Sequence, residues 1–115
     1  MAIATVCLLA ASAAGLAFPA IVAVLLDTAF PAATPDDPRL EIVSGDIAER
    51  AVVDRVVAPD TDSVFHLAAV VSGGAEADFD LGMRVNLEGT RQLLDRMCRC
   101  ARPPRLVLPS SVSAF

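Results

Sequence analysis

Short apolar runs and longer amphipathic stretches alternate along the chain from Pro19 onward. Apolar runs that are rich in β-branched residues and bounded by turn-forming residues are typical of buried strands. Four such runs occur, at residues 21–26, 40–43, 63–71 and 105–109. Apolar and charged residues recur at helical spacing between them, at residues 48–57 and at about 77–100. The pattern therefore predicts strands that are separated by helices.

The longest helical pattern has two faces. Its large apolar side chains recur at steps of three, four or seven and share one face; they are Phe79, Met83, Leu87, Leu94 and Met97. The other side carries Arg84, Glu88, Arg91 and Asp95. Pro103 and Pro104 end the pattern, which predicts an amphipathic helix.

Continuous apolar strands separated by helices are typical of a parallel sheet that is covered on both faces. The alternating order predicts an α/β fold with a doubly wound parallel sheet. Such sheets bind ligands at the carboxyl ends of their strands. The four predicted ends carry Asp27, Gly45-Asp46, Ala68-Ala69 and Ser110-Ser111. These small or hydrogen-bonding residues predict a ligand crevice at that edge of the sheet.

Composition narrows the classes of function. Fourteen acidic residues against nine basic ones, all of them arginine, give a net charge of −5. Nucleic-acid binders carry a basic patch, so we expect no nucleic-acid partner. The chain contains neither tyrosine nor lysine. A mechanism that needs a phenol or an amine therefore cannot run on these residues alone.

The three cysteines, Cys7, Cys98 and Cys100, are an odd number. One residue separates Cys98 from Cys100, which does not match the usual spacing of zinc ligands or of a redox pair. We therefore expect reduced thiols in a cytoplasmic protein.

The first 26 residues carry no charge. A run of that length meets the crude criterion for a membrane-spanning helix, and its Ala-Ser-Ala-Ala-Gly stretch resembles an export cleavage site. However, no lysine or arginine precedes the run, and Pro19 divides it. We therefore treat residues 1–20 as a separate apolar segment and residues 21–115 as the domain. A small membrane-anchored or exported α/β protein without catalytic activity stays the alternative.

His66, the only histidine, lies in an apolar run. Its surroundings favour a core histidine with one satisfied hydrogen bond over a catalytic one. The small side chains of Ala68 and Ala69 either let a ligand approach the backbone or let a helix pack against the sheet.

Four polar residues each have a structural and a functional interpretation. Asp27 either begins a turn or accepts hydrogen bonds from ribose hydroxyls. Asp46 either begins a turn or accepts a hydrogen bond from an adenine amino group. Ser110 and Ser111 either belong to an ordinary loop or hold a substrate hydroxyl or carbonyl for proton transfer.

The sequence matches the pattern of a phosphate-binding loop only weakly. Dinucleotide-binding folds open with a strand and the pattern G-x-G-x-x-G, whose glycines let the pyrophosphate sit on a helix N-terminus. The corresponding stretch LLAASAAGLAFP contains one glycine, Gly15. This difference argues against strong dinucleotide binding.

Three strings carry a family resemblance: SGDI, VFHLAAVVSGGAEADFDLGMRVNLEGTRQLL and RLVLPSSVSAF. Together they resemble the extended short-chain dehydrogenases, the NAD-dependent epimerase/dehydratase family, over roughly residues 21–115. HLAA followed by VNLEGT at this separation is specific. The string VVSGGAEADFDLGMRVN looks most like members that oxidise a sugar acid such as D-erythronate.

The resemblance implies a partial NAD-binding, Rossmann-like domain that is incomplete at both ends. Asp27 would match the acidic residue that binds the adenosine ribose, which suggests NAD rather than NADP. Asp46 and Ile47 would match the pair that lines the adenine site.

The same resemblance implies roles for residues farther along the chain. Leu67, Ala68 and Ala69 would line the adenosine and pyrophosphate side of the cofactor. Asn86 would match the helix asparagine of the N-x-x-G-T motif, which helps to organise the active site. Ser111 would match the catalytic serine or threonine that orients the substrate.

Two departures from the family pattern qualify these roles. Residues 1–20 match nothing in the family and stand where the glycine-rich motif belongs. The family's catalytic Tyr-x-x-x-Lys, in which tyrosine is the acid/base and lysine lowers its pKa, lies downstream of Phe115. We therefore expect a fragment, from a truncated or frame-disrupted gene, that binds NAD weakly or not at all. Its complete relatives would use NAD and a small sugar-acid substrate, whereas this chain would be inactive alone.

Overall fold

A computed structural model describes residues 7–12, 21–34 and 36–110 of the chain. The strands are β1 (Cys7–Ser12), β2 (Ile21–Asp27), β3 (Leu40–Ser44), β4 (Thr61–His66) and β5 (Arg105–Val107). The helices are α1 (Arg50–Val56), α2 (Ser72–Ala77), α3 (Phe79–Gly82) and α4 (Thr90–Cys98). A π-helical segment, Met83–Gly89, joins α3 to α4 and is called the π segment below.

The five strands form one sheet in the order β3-β2-β1-β4-β5. β2 pairs with β3 and β4 pairs with β5 in parallel, so the predicted α/β fold with parallel strand pairs is confirmed. β1 is antiparallel to both β2 and β4, which makes β2 and β4 parallel to each other. The carboxyl ends of β2, β3, β4 and β5 therefore all lie at one edge of the sheet, called the carboxyl edge below.

The direction of β1 follows from the length of its connection. Only residues 13–20 separate β1 from β2. A crossover between parallel strands takes about a dozen residues or more, whereas a short link joins antiparallel neighbours. The central position of the sheet is therefore filled by a strand that runs against the other four.

β4 is shorter than the predicted run at residues 63–71, because it ends at His66. The following residues leave the sheet, and the backbone N–H and C=O of Val70 are bound by the Asn86 side chain instead. The other predicted strands are present, although β5 ends at Val107.

The core lies between the sheet and its helices. Strands β2, β3 and β4 contribute Leu26, Val43 and Val64 to the core, and the helices and the loops beside them contribute the other described core residues; the least exposed residues are Leu26, Ile47, Leu93, Val53, Val57 and Val64. Helices α1 and α4 contact each other over this core. On the other face of the sheet Ile42 is 36% exposed and Val107 is 46% exposed, so the described helices cover mainly one face.

Of the five large apolar residues that were predicted to share one face of the long helix, only Met97 is buried in the core. Phe79, Met83, Leu87 and Leu94 are all exposed, Phe79 by 71%. The buried positions are Gly82, Val85, Gly89, Leu93 and Met97. Both sets have helical spacing, so periodicity alone does not choose between them. Gly89 determines which face is buried, because the absence of a side chain lets the helix approach the loop after β3. A Cβ on Gly89 would lie 2.7 Å from Ile47 Cγ2.

Within residues 7–12, 21–34 and 36–110, each helix is too short or too polar to cross a bilayer. The same residues hold no group of three or more His, Cys, Asp or Glu side chains arranged to bind a metal ion.

Candidate functional site

The carboxyl edge brings several predicted site residues together. Asp27 and Ser44 are register partners at the ends of β2 and β3, and the Gly45 amide donates to the Asp27 carbonyl at 2.9 Å. Asp46 follows directly. Cys7 of β1 is opposite both Leu26 and His66, which places the end of β4 and the following Leu67–Ala69 loop at the same edge.

One predicted site residue, a serine, is not located by the structure. Ser110 is exposed beyond β5, and Ser111, the predicted catalytic serine, lies outside the described residues. The structure therefore locates seven of the eight predicted site residues; they are Asp27, Asp46, Ile47, Leu67, Ala68, Ala69 and Asn86.

The Asp27 carboxylate has one engaged oxygen and one that is available. Oδ1 accepts the Thr28 amide at 2.6 Å and the Ala29 amide at 3.4 Å, which folds the chain into a tight turn. Oδ2 has no hydrogen-bond partner within the described part of the chain. The residue is only 7% exposed, but Oδ2 is not one of the fully buried polar atoms that lack a hydrogen-bond partner. Asp27 is therefore both a turn residue and an oriented acceptor, so its two interpretations are compatible.

Asp46 is held from two sides. Its Oδ1 accepts the Ala48 amide at 2.8 Å, and its Oδ2 lies 2.5 Å from Nη1 of Arg84 in the π segment. The side chain of Asp46 is 15% exposed. Each carboxylate oxygen has two acceptor sites, so a further hydrogen bond can still be accepted.

Ile47 belongs to the core, because its side chain is 1% exposed. The Ile47 side chain is packed under Gly89 of the π segment. A ligand at the carboxyl edge can therefore meet the backbone of Ile47, whereas its side chain supports the loop from below.

The loop after β4 offers a small apolar surface. Leu67 is 44% exposed and Ala69 is also exposed, whereas Ala68 and Val70 are buried. Asn86 fixes this loop: its Oδ1 accepts the Val70 amide at 2.7 Å, and its Nδ2 donates to the Val70 carbonyl at 3.0 Å. Asn86 therefore acts on the loop, which agrees with an organising role.

His66 connects β4 to the helix. The Thr90 hydroxyl donates to the backbone carbonyl of Asn86 at 2.7 Å. The Thr90 hydroxyl oxygen therefore accepts from His66 Nε2, which is 2.8 Å away. This network assigns the proton of neutral His66 to Nε2 and leaves Nδ1 buried without a partner in the described residues. Burial lowers the pKa of His66. His66 is therefore a neutral core histidine with one satisfied hydrogen bond, as predicted.

Two residues that hold this edge together were missed by sequence reasoning. Arg84 was placed on the polar face of the long helix, and its pairing with Asp46 has no local signal. Thr90 belongs to the N-x-x-G-T motif, which was the one clue to its importance.

A cavity in the described part of the chain lies elsewhere. It encloses about 420 Å³ and is lined by Thr61, Asp62, Ser63, Arg102, Pro103 and Arg105. These residues belong to the beginnings of β4 and β5 and to the segment before β5, at the opposite edge of the sheet. None of the described predicted site residues lines it.

The family of the chain follows from comparison with known proteins. Residues 9–115 match the NAD dependent epimerase/dehydratase family, so the match begins inside the segment 1–20, which was expected to match nothing in the family. The chain belongs to this family. The match includes the two acidic strand ends, the loop after β4 and the N-x-x-G-T helix described above.

Two curated members of the family are similar to the chain. A D-erythronate dehydrogenase from Cupriavidus necator is 50% identical over 91 residues, which are 79% of this chain and 28% of that enzyme. A D-erythronate dehydrogenase from Haemophilus influenzae is 37% identical over 93 residues, 80% of this chain and 29% of that enzyme. The chain therefore spans less than a third of the length of these relatives.

A solved structure shares the fold. The nucleoside-diphosphate-sugar epimerase from Agrobacterium tumefaciens superposes with a TM-score of 0.67 at 36% identity, over 80% of this chain and 28% of that one. The predicted Rossmann-like architecture is thereby confirmed for this part of the family's fold.

Proposed function

We propose that this chain forms the adenine-nucleotide side of the cofactor site of an NAD-dependent dehydrogenase that acts on a sugar acid such as D-erythronate. The observation that carries the proposal is the Asp27 carboxylate at the end of β2. Its Oδ1 is fixed by the turn while its Oδ2 is left to accept. A carboxylate in this position is the usual ligand of ribose hydroxyls in dinucleotide folds.

The neighbouring residues support the other parts of an adenosine. In the proposal, Asp46 accepts a hydrogen bond from the adenine amino group, next to the backbone of Ile47. The exposed Leu67 and the small Ala68 and Ala69 form the apolar surface against which the nucleoside packs. Asn86 holds that surface in place through Val70.

Hydride transfer needs groups that these residues do not contain. The sequence has no tyrosine and no lysine. The acid/base pair implied by the family resemblance therefore cannot come from residues 1–115, and we propose that the chain alone does not oxidise the sugar acid. Incubation with D-erythronate and NAD should produce no NADH absorbance.

The proposal extends to a cytoplasmic location. Cys98 is exposed and Cys100 is buried, and neither forms a disulfide. Reduced thiols are typical of that compartment.

Binding can be tested by thermal unfolding in the presence of adenine ligands. A ligand at ten times its Kd stabilises the folded state by about 1.4 kcal/mol, a shift of several degrees for a small domain. Asp27→Asn should reduce the shift, whereas the matched control Asp60→Asn, an exposed turn residue before β4, should leave it unchanged. A melting temperature that no adenine ligand changes would contradict the proposal.

A further inference from the structure

We propose that the carboxyl edge of this chain binds adenosine as a nucleoside and gains no affinity from the phosphates or the nicotinamide of NAD. This inference rests on the proposed function, because it uses the same site. It narrows the ligand class from a dinucleotide to an uncharged adenine nucleoside.

The first argument is the direction of β1. In a parallel dinucleotide-binding sheet, the carboxyl end of the central strand turns into a helix whose N-terminus holds the pyrophosphate. Here Cys7, at the start of β1, lies opposite Leu26 and His66 at the carboxyl edge. Ser12, at the end of β1, lies opposite Ile21 at the other edge. The carboxyl end of β1 therefore lies at the edge away from the site.

The second argument is the charge of the site. Asp27 and Asp46 place two carboxylates at the ends of neighbouring strands. Arg84 is engaged with Asp46 at 2.5 Å. Two carboxylates and one paired guanidinium leave an excess negative charge, which disfavours an approaching phosphate and has little effect on a neutral nucleoside.

The third argument is that the remaining contacts suit a nucleoside. Asp27 Oδ2 is available to the ribose diol, and the Asp46 carboxylate can accept from the adenine amino group. Leu67, 44% exposed, offers apolar area to the sugar and base. Among residues 7–12, 21–34 and 36–110, the groups available for recognition all suit adenosine, so in the proposal the phosphates and the second nucleoside extend away from these contacts.

Equilibrium dialysis of the full chain against labelled adenosine tests this directly, with unlabelled AMP and NAD as competitors. We expect adenosine to bind at least as tightly as either competitor at low salt. Raising the salt from about 50 mM to about 500 mM screens the repulsion, so AMP and NAD should gain affinity while adenosine changes little. A phosphate-binding cradle predicts the opposite salt dependence, because salt weakens phosphate contacts to cationic groups.

The possible outcomes separate the two proposals. If AMP or NAD binds about tenfold more tightly than adenosine at low salt, the nucleoside inference is wrong while the proposed function stands. If none of the three ligands binds, both fail. Adenosine binding that equals or exceeds that of NAD, with the expected salt dependence, supports both.

Matched ligands and variants assign the contacts. Inosine has a carbonyl where adenosine has its amino group, so it should bind several-fold more weakly if Asp46 accepts from that amino group. Asp27→Asn should weaken adenosine about tenfold and leave 2′,3′-dideoxyadenosine unchanged, since that ligand lacks both hydroxyls. Asp60→Asn serves as the control variant. Equal losses for adenosine and its dideoxy analogue would place the ribose away from Asp27 and overturn the assignment.

Discussion

The two edges of the sheet are built differently. At the carboxyl edge the long helix is tied to the loops after β3 and β4 by specific contacts: Asn86 to Val70, and Arg84 to Asp46. The amino edge has the cavity of about 420 Å³, whose arginines are exposed and where Arg102 pairs with Asp62. The family's motif residues lie at the edge with the fixed loops, and none of the described site residues lines the cavity at the amino edge. We therefore propose the ligand site at the edge with the fixed loops.

The π segment, Met83–Gly89, explains why one helix serves so many contacts. It contains Arg84 and Asn86, which reach two different loops, and Gly89, which lies against Ile47. π-Helical turns occur frequently at functional sites, since they change the direction of side chains within a helix. Changing these contacts one at a time tests how the two edges differ.

The largest effect is expected for Gly89→Val. The added Cβ would lie 2.7 Å from Cγ2 of Ile47, which is 1% exposed, so atoms in the core must shift. We expect a loss of about 3 kcal/mol of unfolding free energy, measured by urea denaturation. Gly73→Val is the control, because a Cβ there meets nothing within 4 Å. Equal losses for the two variants would contradict the close packing at Gly89.

A smaller effect is expected for Asn86→Asp. The variant keeps an acceptor for the Val70 amide but sets a carboxylate oxygen against the Val70 carbonyl. We expect a loss of about 2 kcal/mol at neutral pH. Part of that loss should be recovered in acid, where the protonated carboxyl can donate, whereas Asn86→Ala should recover nothing. Identical pH profiles for the two variants would argue against the paired contact.

The pH dependence of stability tests whether buried His66 is neutral in the folded chain. Burial lowers its pKa below the ordinary 6.5, so the unfolded chain takes up a proton that the folded chain resists. Its contribution is present above pH 6.5 and is lost as pH falls toward the folded pKa, by at most about 1.4 kcal/mol per unit.

The matched variant His66→Gln should flatten this slope as the pH falls below 6.5, as measured by urea denaturation at several pH values. Asp37 and Glu88, whose pKa values are lowered to about 2 by hydrogen bonds from Arg39 and Arg91, act only at lower pH. An unchanged slope in the variant would mean that His66 is not the group responsible.

The smallest effect compares one ion pair from each edge. Arg84 and Asp46 have side chains that are 53% and 15% exposed, whereas Arg102 and Asp62 are 77% and 35% exposed. Arg84→Gln should cost up to about 1 kcal/mol, and Arg102→Gln should cost less, because the more exposed pair is better screened. Thermal unfolding at low and high salt measures both. A larger loss for Arg102→Gln would reverse the comparison.

Local sequence patterns were sufficient for much of the carboxyl edge. Both β2, which ends at Asp27, and β3, which ends just before Gly45, could be predicted from the sequence. Apolar runs and turn residues act over a few positions, so each strand carries its own local signal. The His66 environment was readable for the same reason. The residues at the carboxyl edge could therefore be predicted from the sequence. The residues around the cavity could not, because no sequence motif marks them.

Local sequence patterns were enough to predict the order of the strands and helices after residue 20 and the residues at the strand ends. The packing of the folded chain decided that residues 7–12 form the central strand β1, which face of the long helix is buried, and which residues Arg84 and Thr90 contact. Those features depend on which segments meet across the sheet. Such contacts join positions far apart in the chain, and neither residue of a pair carries a local signal of the other.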